Sequence, residues 1–600
     1  MTRMDRRPVF ALLEEAAASH ADRPALHQPA GSGKYKTWTF AEYKQQVSEV
    51  AAGLRHLGYQ HGDVIAIHSE TRAEFYIADI GIMTAGCQAA ALYISYAAAE
   101  LVQTLRACDA KAIFVETPKA LQTLIAGGGG ELGARWILLT GESDGILTLD
   151  GLRELGRKAM WEDSGLFDRI KASVSPDDTA VLYLTSGATG EPKMVQTSHW
   201  AIVFDVDTGS GVFTVRDDDC AFAFLPSAHI AQRLGLEMLP LRVKMPVYFS
   251  ESLLRMPHEL RSVKPTLFMA PPRVWERIYS SVCTEIKKRG ALTRQIFYAS
   301  LGLGAKAVAY KQEGKPVPAW LQQAVKVADK AVYSKIRDRF GGRMRTAISG
   351  AAPLSRDLAE FYYAIGMPIT EGYGLTESGV VTLNPESGPR LGSVGKPFPG
   401  IELKLAEDGE LLIKSPTNLT CYYKDPAATA AVLEDGWLHT GDIASIADDG
   451  YVSITGRKKE MIVASNGKKI YPSRLEALFK TEPLISQMVV AGDRQSYVSA
   501  LFTINPATAE TLPGMDGMAG RSIAEVASAK PVFDEVKKAV RKANKQLAPF
   551  EQVKKFKVLD REFSIELGEL TPTMKVRRAK VLENFKAQIA EMYAGKEDNL

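Results

Sequence analysis

The chain has 600 residues, which is too many for one hydrophobic core and predicts several domains. Its 46% hydrophobic and 24% charged residues are typical of a globular protein and exclude a disordered one. A formal net charge of +3 argues against nucleic-acid binding and against an acidic solvating role for the chain as a whole.

The cysteine pattern and the lack of a secretory signal favour an intracellular protein. The five cysteines are widely spaced and form no C-x-x-C pair, so we expect reduced thiols in a reducing compartment. The N-terminal segment carries acidic residues and lacks the apolar stretch of a secretory signal. No stretch approaches the roughly twenty apolar residues of a membrane span. These features predict a cytoplasmic protein without a membrane span and leave peripheral contact with a membrane open.

The first part of the chain alternates between predicted helices and strands. Amphipathic segments near residues 10–20 and 40–57 predict helices, with a short strand pair between them. Strands are predicted for DVIAIHSE, QAAALY and KAIFVE, and a helix for EFYIADIGIMTAGC. Repeated βαβ units of this kind predict parallel sheets covered by helices.

The first chemically informative stretch reads YLTSGATGEPK and begins at Tyr183. Gly187 and Gly190 would let backbone N–H groups turn toward an anion, and Lys193 adds a mobile positive charge. Further hydroxyl donors are Thr185, Ser186 and Thr189. The pattern predicts a polyphosphate-binding loop, with an ordinary surface turn as the alternative. No Gly-Lys pair of the chain is followed by Ser or Thr, so the loop is not a Walker motif.

Two features of the segment after this loop are a histidine beside an apolar run and a lysine-rich helical region. His229 follows the apolar run CAFAFLPSA, and such a histidine is more often structural than catalytic. The apolar stretches at 222–225, 229–236 and 267–270 fit either an acyl tunnel or core packing. From about 281 to 340 the pattern is helical and rich in lysine, and we interpret most of these lysines as a solvated face.

Two further strands are predicted in MRTAISGAAPLS and MPITEGYGLTES. Both end in small, aromatic or acidic residues, namely Gly350, Ala351, Ala352, Gly372, Tyr373, Gly374, Thr376 and Glu377. Open α/β sheets bind ligands at the carboxyl ends of parallel strands. Tyr373 is suited to cover a base and Glu377 to hold a hard cation, although each also fits a tight turn followed by a capping acid.

Beyond Gly395, Gly-Asp and Asp-Gly turns between short strands predict antiparallel β structure. Asp442 and Arg457 are predicted at the ends of two of these strands. The remaining segments predict a compact α+β unit. The predicted fold class is therefore α/β: a large N-terminal domain (1–456) of βαβ-rich subdomains plus a small β-rich subdomain, followed by a small mobile α+β C-terminal domain (457–600) with a hinge near Lys459.

Nine motifs together resemble the adenylate-forming (AMP-binding) superfamily of acyl-CoA synthetases, peptide-synthetase adenylation domains and luciferases. In chain order they read TSGATGEPK, LPSAHIAQR, PPRVWERIY, ISGAAPLS, EGYGLTES, GSVGKPFPG, WLHTGDI, ITGRKKEMIVASNGKKIYP and ELTPTMKVRR. The chain is most similar to the long-chain fatty acyl-CoA synthetase branch. This resemblance implies a ligase that uses ATP, Mg²⁺ and coenzyme A to convert a fatty acid, or a similar carboxylate, first to an acyl-adenylate and then to a thioester.

The resemblance also implies roles for individual residues. The implied ATP- and AMP-binding residues are Thr185, Ser186, Gly187, Ala188, Thr189, Gly190, Lys193, Gly350, Ala351, Ala352, Tyr373, Gly374, Thr376, Asp442 and Arg457. Glu377 and Thr185 would contact Mg²⁺, and Asp442 would bind the ribose hydroxyls. The implied catalytic residues are Lys575, Thr376 and Glu377. His229 and Gly350 are candidates for the acyl site, and Lys459 occupies the hinge position.

Lys575 lies far from the other motifs, on the basic small domain, so its role would depend on domain closure. A rotation near Lys459 would then withdraw it and present another face of the domain for thiol attack. Three positions depart from the superfamily pattern. Ala188 replaces a common threonine, Met194 stands where glycine is usual, and Met574 stands where many relatives have glycine although the long-chain branch often has a bulky residue.

Two other functions remain as alternatives. A fatty acyl-AMP ligase, or another carboxylate-activating enzyme, would load a carrier protein instead of CoA. A non-catalytic nucleotide-binding scaffold would lack Lys575 or Glu377, and both are present. The basic helix near 533–547 is interpreted as solvated surface, with CoA phosphates or an anionic membrane as alternatives.

Overall fold

The computed structural model describes residues 5–185, 193–386, 388–515, 517–518, 520–571 and 574–594. Two large sheets, each packed against helices, form the centre of the N-terminal part. A smaller antiparallel sheet follows, and then a separate C-terminal unit with its own hydrophobic core. The predicted α/β class and the order of the large and small parts are confirmed.

The first large sheet contains the predicted βαβ units. Val64–His68 pairs in parallel with both Gln88–Ala91 and Ala112–Val115. The helix Ala73–Thr84 connects the first two of these strands and is buried along its whole length. The strands, in spatial order, are Cys421–Tyr422, Lys193–Ser198, Thr179–Thr185, Gln88–Ala91, Val64–His68, Ala112–Val115, Arg135–Leu138 and Leu147–Thr148.

The second large sheet joins the strands that carry the later motifs. Leu267–Ala270 pairs in parallel with Thr346–Ser349, which pairs in parallel with Ile369–Leu375. The carboxyl ends of these strands therefore meet at one edge of the sheet. In spatial order its strands are Lys396–Pro397, Gly379–Leu383, Ile369–Leu375, Thr346–Ser349, Leu267–Ala270, Ala221–Ala223, Val247–Phe249, Pro24–Pro29 and Tyr35–Thr39.

The β-rich subdomain is antiparallel, as predicted, but one residue lies elsewhere than expected. Asp442 is within the strand Trp437–Ile446 and not at its end. Gly441 adopts a φ of +71°, and the register shifts after Ile443, so the strand continues through the Gly-Asp pair that resembled a turn. Arg457 does end its strand. The strands are Glu402–Leu405, Glu410–Lys414, Leu433–Glu434, Trp437–Ile446 and Val452–Arg457.

The C-terminal unit has a core of its own, in which Phe479 packs against Phe502. The predicted basic helix begins at Lys530 and ends at Asn544, three residues earlier than expected at each end. The strands of the unit are Ile462–Val463, Lys469–Ile470, Ile485–Ala491, Val498–Ile504 and Val553–Val558. Its helices are Pro472–Ala477, Pro506–Ala509, Ile523–Ala527, Lys530–Asn544, Arg578–Asn584 and Lys586–Tyr593.

Several helices of the larger part begin at residues whose side chains cap the helix. Thr39, for example, accepts a hydrogen bond from the N–H of Glu42, whose carboxylate accepts one from the N–H of Thr39. The α-helices are Phe10–His20, Phe40–His56, Ala73–Thr84, Ala98–Ala107, Pro118–Ala126, Leu149–Glu162, Leu166–Ala172, His199–Gly209, Ile230–Gln232, Leu239–Val243, Met256–Val263, Pro272–Lys287, Ala291–Gln312, Ala319–Ala328, Ser334–Arg337, Arg356–Ala364 and Pro426–Ala430. Short π-helices span Arg233–Met238 and Asp329–Tyr333.

Two observations bear on the environment of the chain. All five cysteines are free thiols, and four of them are buried. Within the described ranges, no helix combines the length and the apolarity needed to cross a lipid bilayer.

Candidate active site

Two antiparallel strands hold the ends of the predicted phosphate loop. Thr179–Thr185 pairs with Lys193–Ser198, and the last pair of the ladder joins Thr185 to Lys193. Lys193 is therefore fixed beside the carboxyl end of the strand that enters the loop. The side chain of Thr185 and the following loop residues lie outside the described part of the chain; these residues are Ser186, Gly187, Ala188, Thr189 and Gly190.

Tyr422 connects the loop lysine to the predicted metal-binding carboxylate. Nζ of Lys193 lies 4.6 Å from the centre of the Tyr422 ring, and the Tyr422 hydroxyl donates a 2.8 Å hydrogen bond to Oε1 of Glu377. Burial, and then the charge of Glu377, raises the pKa of Tyr422, so the hydroxyl keeps its proton. Tyr422 reaches the loop because Cys421–Tyr422 pairs with Lys193–Ser198. Nothing in the segment TCYYKDP indicated this role, since the contact depends on strand pairing.

Thr376 and Glu377 occupy the turn that follows strand Ile369–Leu375. The turn is unusually tight, because a Cβ at Gly374 would lie 2.1 Å from the carbonyl oxygen of Gly379. Only glycine allows so close an approach of two backbone segments. The turn therefore fixes the position from which both side chains project.

The donor set around Glu377 suits Mg²⁺. Mg²⁺ is usually bound by one or two carboxylates together with substrate phosphates and water. In the part of the chain that the structure describes, no cluster of three or more His, Cys, Asp or Glu side chains could hold a metal alone. A divalent ion at Glu377 would therefore share its coordination with the phosphates of a bound nucleotide.

Residues 350–352 follow strand Thr346–Ser349 at the same edge of the second large sheet. A Cβ at Gly350 would lie 3.3 Å from the carbonyl oxygen of Gly372, so the two backbones approach closely here. Ala351 has a φ of +67°, a left-handed conformation that is uncommon for a residue with a side chain. The predicted adenine-lining segment therefore presents small side chains against the neighbouring strand.

Asp442 is the centre of the predicted ribose site. The Tyr373 hydroxyl donates a 2.7 Å hydrogen bond to its Oδ2, and Nε of Arg457 lies 3.2 Å from its Oδ1. The backbone N–H of Asp442 donates to Oγ1 of Thr440 at 3.0 Å. Burial raises the pKa of Asp442, while Arg457, Tyr373 and Lys575 act in the opposite direction. The carboxylate is thus oriented by residues from three segments of the chain.

Lys575 approaches Asp442 from the C-terminal unit. Burial, and then the charge of Arg457, lowers the pKa of Lys575 to about 8, whereas Asp442 acts to raise it. The Lys575 backbone is held by Thr571, because its N–H donates to Thr571 Oγ1 at 3.0 Å and its carbonyl accepts from the Thr571 N–H at 2.8 Å. Met574 has a φ of +64°, which glycine adopts more readily.

His229 lies near Lys575 at the start of a short helix. Its Nδ1 accepts a 3.1 Å hydrogen bond from the N–H of Ala231. Burial, and then the positive charge of Lys575, lowers the pKa of His229 to about 3, so the imidazole is neutral at pH 7. With Nδ1 acting as an acceptor, a neutral imidazole carries its proton on Nε2.

A buried ion pair connects two elements next to the phosphate loop. Arg233, from the LPSAHIAQR motif, pairs with Asp79, and the two side chains are 1% and 0% exposed. The guanidinium carbon of Arg233 also lies 5.4 Å from the centre of the Tyr183 ring. The pair therefore links helix Ala73–Thr84 to the strand that enters the phosphate loop. Asp79, an acid within the apolar run FYIADIGIM, was the only sequence signal for it.

Helix Pro272–Lys287 forms part of the contact between the two parts of the chain. Nζ of Lys480 lies 3.3 Å from Oε1 of Glu276, and the hydroxyl oxygens of Thr284 and Thr508 are 3.0 Å apart. A cavity of about 400 Å³ lies along this contact, and none of the predicted site residues lines it. Its walls include Arg273, Glu276, Tyr279, Lys480, Gln487 and Asn505.

The predicted hinge residue Lys459 is exposed in the 3₁₀ turn Lys458–Glu460. This turn directly follows strand Val452–Arg457 of the β-rich subdomain. Nζ of Lys458 lies 3.1 Å from Oε2 of Glu410, so a side chain of the turn contacts the larger part of the chain.

The apolar segments considered for an acyl tunnel are largely packed into the core. Phe222 and Phe268 are fully buried, and the ring of Phe224 stacks on that of Phe268 with centroids 5.2 Å apart. These aromatic side chains pack against one another, which favours the core interpretation for 222–225 and 267–270. His229 and Gly350 are the candidates that lie at the sheet edge.

Comparison with protein families identifies two matching regions. Residues 13–423 match the AMP-binding enzyme family, and residues 459–597 match the C-terminal domain of AMP-binding enzymes. A long-chain-fatty-acid–CoA ligase, FadD15 of Mycobacterium bovis, is 34% identical over 572 residues, which are 95% of this chain and 94% of that protein. The peroxisomal long chain acyl-CoA synthetase 6 of Arabidopsis thaliana is 28% identical over 588 residues, covering 94% of this chain and 82% of that protein.

Solved structures share the fold at lower sequence identity. The adenylation domain of a carboxylate reductase from Mycobacterium chelonae aligns with a TM-score of 0.74 and 21% identity, covering 99% of this chain and 92% of that one. ATP-bound MatB from Rhodopseudomonas palustris aligns with a TM-score of 0.69 and 20% identity, covering 96% of this chain and 99% of that one.

Proposed function

The chain belongs to the AMP-binding enzyme family, and from this membership we propose that it is a long-chain fatty acid–CoA ligase. The reaction has two steps. A fatty acid carboxylate reacts with ATP to give an acyl-adenylate and pyrophosphate, and the CoA thiol then displaces AMP to give the acyl-CoA thioester.

One relationship carries this proposal: Lys575 of the C-terminal domain lies within electrostatic reach of Asp442 in the N-terminal domain. Asp442 is itself held by Tyr373 and Arg457. A lysine beside an oriented carboxylate, with an aromatic ring next to it, suits a site that binds a nucleoside and stabilises charge at the phosphate attached to it. A non-catalytic scaffold would not require Lys575 to lie partly buried beside Asp442.

In the first step, a carboxylate oxygen attacks the α-phosphorus of ATP, and the bond to the bridging oxygen of pyrophosphate breaks. Two anions must approach each other, so positive charge is needed where negative charge accumulates. We assign that charge to the ammonium group of Lys575, together with Thr376 as a donor to the α-phosphate. Lys193 and the phosphate loop would hold the departing β- and γ-phosphates.

Glu377, with Thr185, would hold Mg²⁺ against the nucleotide phosphates, where the ion would neutralise part of their charge. The Tyr422 hydroxyl donates to Glu377 and restricts the rotation of its carboxylate. Asp442 would accept hydrogen bonds from the ribose hydroxyls, and Tyr373 with residues 350–352 would line the adenine.

In the second step, the CoA sulfur attacks the acyl carbonyl carbon, the bond to the AMP phosphate oxygen breaks, and the thiol proton is released. We propose that the C-terminal domain (457–600) rotates about Lys459 relative to the N-terminal domain (1–456) between the steps. The arrangement described here, with Lys575 beside Asp442, corresponds to the adenylation state. The two separate hydrophobic cores support rotation of the domains as rigid units.

The acyl chain is proposed to be long because the relatives that match nearly the whole chain are named for long-chain fatty acids. We propose that His229 and Gly350 line the acyl site near the end that binds the carboxylate. A neutral His229 adds no charge that would compete with Lys575 for the carboxylate.

Carboxylate-dependent ATP–pyrophosphate exchange, measured across acyl chain lengths with and without CoA, tests this function. We expect exchange to rise with chain length and AMP and acyl-CoA to form only when CoA is present. Exchange without CoA-dependent AMP release would instead indicate an enzyme that loads a carrier protein. No exchange with any carboxylate would rule out adenylation.

A further inference from the structure

A basic helical hairpin of the N-terminal domain contains none of the residues assigned to catalysis. It consists of helices Ala291–Gln312 and Ala319–Ala328, which pack against each other. Residues 291–328 contain five Lys and Arg residues and one acid, a net charge of +4, and with the flanking residues 287–290 and 329–330 the net charge is +7. The whole chain carries +3, so this segment is far more basic than the rest.

Most of the cations on the hairpin lack acidic partners. Glu313 pairs with Lys315 at 2.7 Å, and Asp329 pairs with Arg337 at 2.6 Å, so both acids of the segment are already neutralised. Among the described residues, the other cations of the segment form no ion pair; they are Lys287, Lys288, Arg289, Arg294, Lys306, Lys311, Lys326 and Lys330. A surface of this kind attracts a polyanion.

The hairpin also exposes large apolar side chains. Leu292 and Ile296 are 70% and 46% exposed and lie one turn apart on the first helix. Trp320 and Val327 are 57% and 70% exposed and lie two turns apart on the second. A different side of each helix packs into the protein, where Phe297 of the first helix and Leu321 of the second are buried. The exposed stripes are therefore a second apolar face, separate from the one that packs into the core.

The two stripes face the same side of the hairpin. Nζ of Lys306, from the first helix, lies 5.1 Å from the centre of the Trp320 ring on the second. Lys306 is 14 positions after Leu292, and that spacing returns to the same side of an α-helix. Trp320 therefore faces the same side of the hairpin as Leu292, about 21 Å farther along the first helix.

From this combination we propose that the hairpin is a docking surface for an anionic lipid bilayer. Apolar and aromatic side chains would enter the interface between headgroups and acyl chains, while the lysines and arginines contact the phosphates. A tryptophan next to lysine is typical of side chains at such interfaces. An acidic soluble protein would be held by the charges, but it offers no apolar layer for Leu292 and Trp320.

The surface lies on a different domain from the basic helix Lys530–Asn544. In that helix Lys542 pairs with Glu482 at 2.7 Å and Lys538 with Glu535 at 3.5 Å, so part of its charge is neutralised. It exposes one large apolar side chain, Phe533, whose ring stacks on Phe556. The hairpin is therefore better suited to insert into lipid, and the helix serves as a basic control with fewer exposed apolar side chains.

Vesicle flotation of the full chain tests the proposal, with vesicles of phosphatidylcholine alone and vesicles containing about one third phosphatidylglycerol. We expect at least about tenfold stronger binding to the anionic vesicles, with loss at high salt. Lys326→Glu with Lys330→Glu, and separately Trp320→Ser with Val327→Ser, should each weaken this binding about tenfold or more.

The matched controls are Lys538→Glu on the helix Lys530–Asn544 combined with Lys545→Glu directly after it, and Trp161→Ser at another exposed tryptophan. They should bind vesicles like the unchanged chain, and all variants should retain ATP–pyrophosphate exchange with a soluble carboxylate. The proposal is overturned by equal binding to neutral and anionic vesicles, by absence of binding to both, or by hairpin variants that bind normally. Soluble heparin binding that depends on the lysines, without any effect of Trp320→Ser and Val327→Ser on vesicle binding, would also overturn it, in favour of an acidic soluble partner.

Discussion

Asp442 of the β-rich subdomain raises the pKa of Lys575 of the C-terminal unit, because the partly buried lysine lies close to the carboxylate. Burial and Arg457 act more strongly in the other direction, so the pKa of Lys575 settles at about 8. At pH 7 the ammonium form therefore prevails, and it is this form that can neutralise a developing phosphate charge.

The lowered pKa of Lys575 predicts a decrease in adenylation at alkaline pH. The active form is protonated, so kcat/KM for ATP in the exchange reaction should fall as the pH rises through about 8. Lys575→Arg, which stays charged, should reduce the rate but remove this decrease. An alkaline decrease that is the same in both proteins would assign the titration to another group.

The substitution Asp442→Asn should have two linked effects. Loss of the carboxylate removes a charged acceptor for the ribose, so KM for ATP should rise about tenfold or more. The pKa of Lys575 should also fall, because Asp442 raises it, and the alkaline decrease should move to lower pH. Asp449→Asn, an exposed acid paired with Arg390, is the control and should change neither quantity. A rise in KM for ATP without a shift of the alkaline decrease would show that Asp442 does not influence the pKa of Lys575.

Tyr422→Phe should weaken the binding of Mg²⁺ together with ATP. The substitution keeps the ring beneath Lys193 but removes the hydroxyl that donates to Glu377. We expect the Mg²⁺ concentration at half-maximal exchange to rise about fivefold to tenfold, the effect of one hydrogen bond. The neighbouring substitution Tyr423→Phe serves as the control. An unchanged Mg²⁺ dependence in Tyr422→Phe would show that the Tyr422 hydroxyl does not contribute to Mg²⁺ binding.

Lys480→Glu should disturb the adenylation state selectively. Nζ of Lys480 lies 3.3 Å from Oε1 of Glu276 across the contact between the two parts of the chain, so the substitution places a second acid next to Glu276. We expect exchange to fall about threefold to tenfold, while thioester formation from added acyl-adenylate changes little. Lys545→Glu, an exposed lysine of the same domain, should affect neither reaction. Equal losses in both half-reactions would show that this contact does not distinguish the two domain arrangements.

Local sequence patterns predicted the elements of the fold but not the contacts between them. Alternating βαβ segments and Asp-Gly turns predicted the parallel and antiparallel sheets. Asp442 was expected at a strand end because Gly441 resembled a turn, whereas a left-handed glycine and a register shift let the strand continue. A bulge of this kind depends on the neighbouring strand, which a local pattern does not contain.

The site could be predicted only where residues are recognisable by motif. Lys575 was linked to the nucleotide site through its resemblance to a family motif, since more than a hundred residues separate it from Asp442. Tyr422 and the buried pair of Asp79 and Arg233 were missed. Their contacts arise from strand pairing and core packing, and neither leaves a periodic signal in the sequence.

The half-reactions of Lys575→Ala test the central claim most directly. We predict that this variant loses carboxylate-dependent ATP–pyrophosphate exchange by about 10²–10³-fold, the usual effect of removing one group that stabilises transition-state charge. Thioester formation from added acyl-adenylate and CoA should stay within a few-fold of the unchanged enzyme, and Lys580→Ala should be normal in both assays. Equal loss of both half-reactions in Lys575→Ala would contradict a lysine that acts in adenylation and is withdrawn before thiol attack.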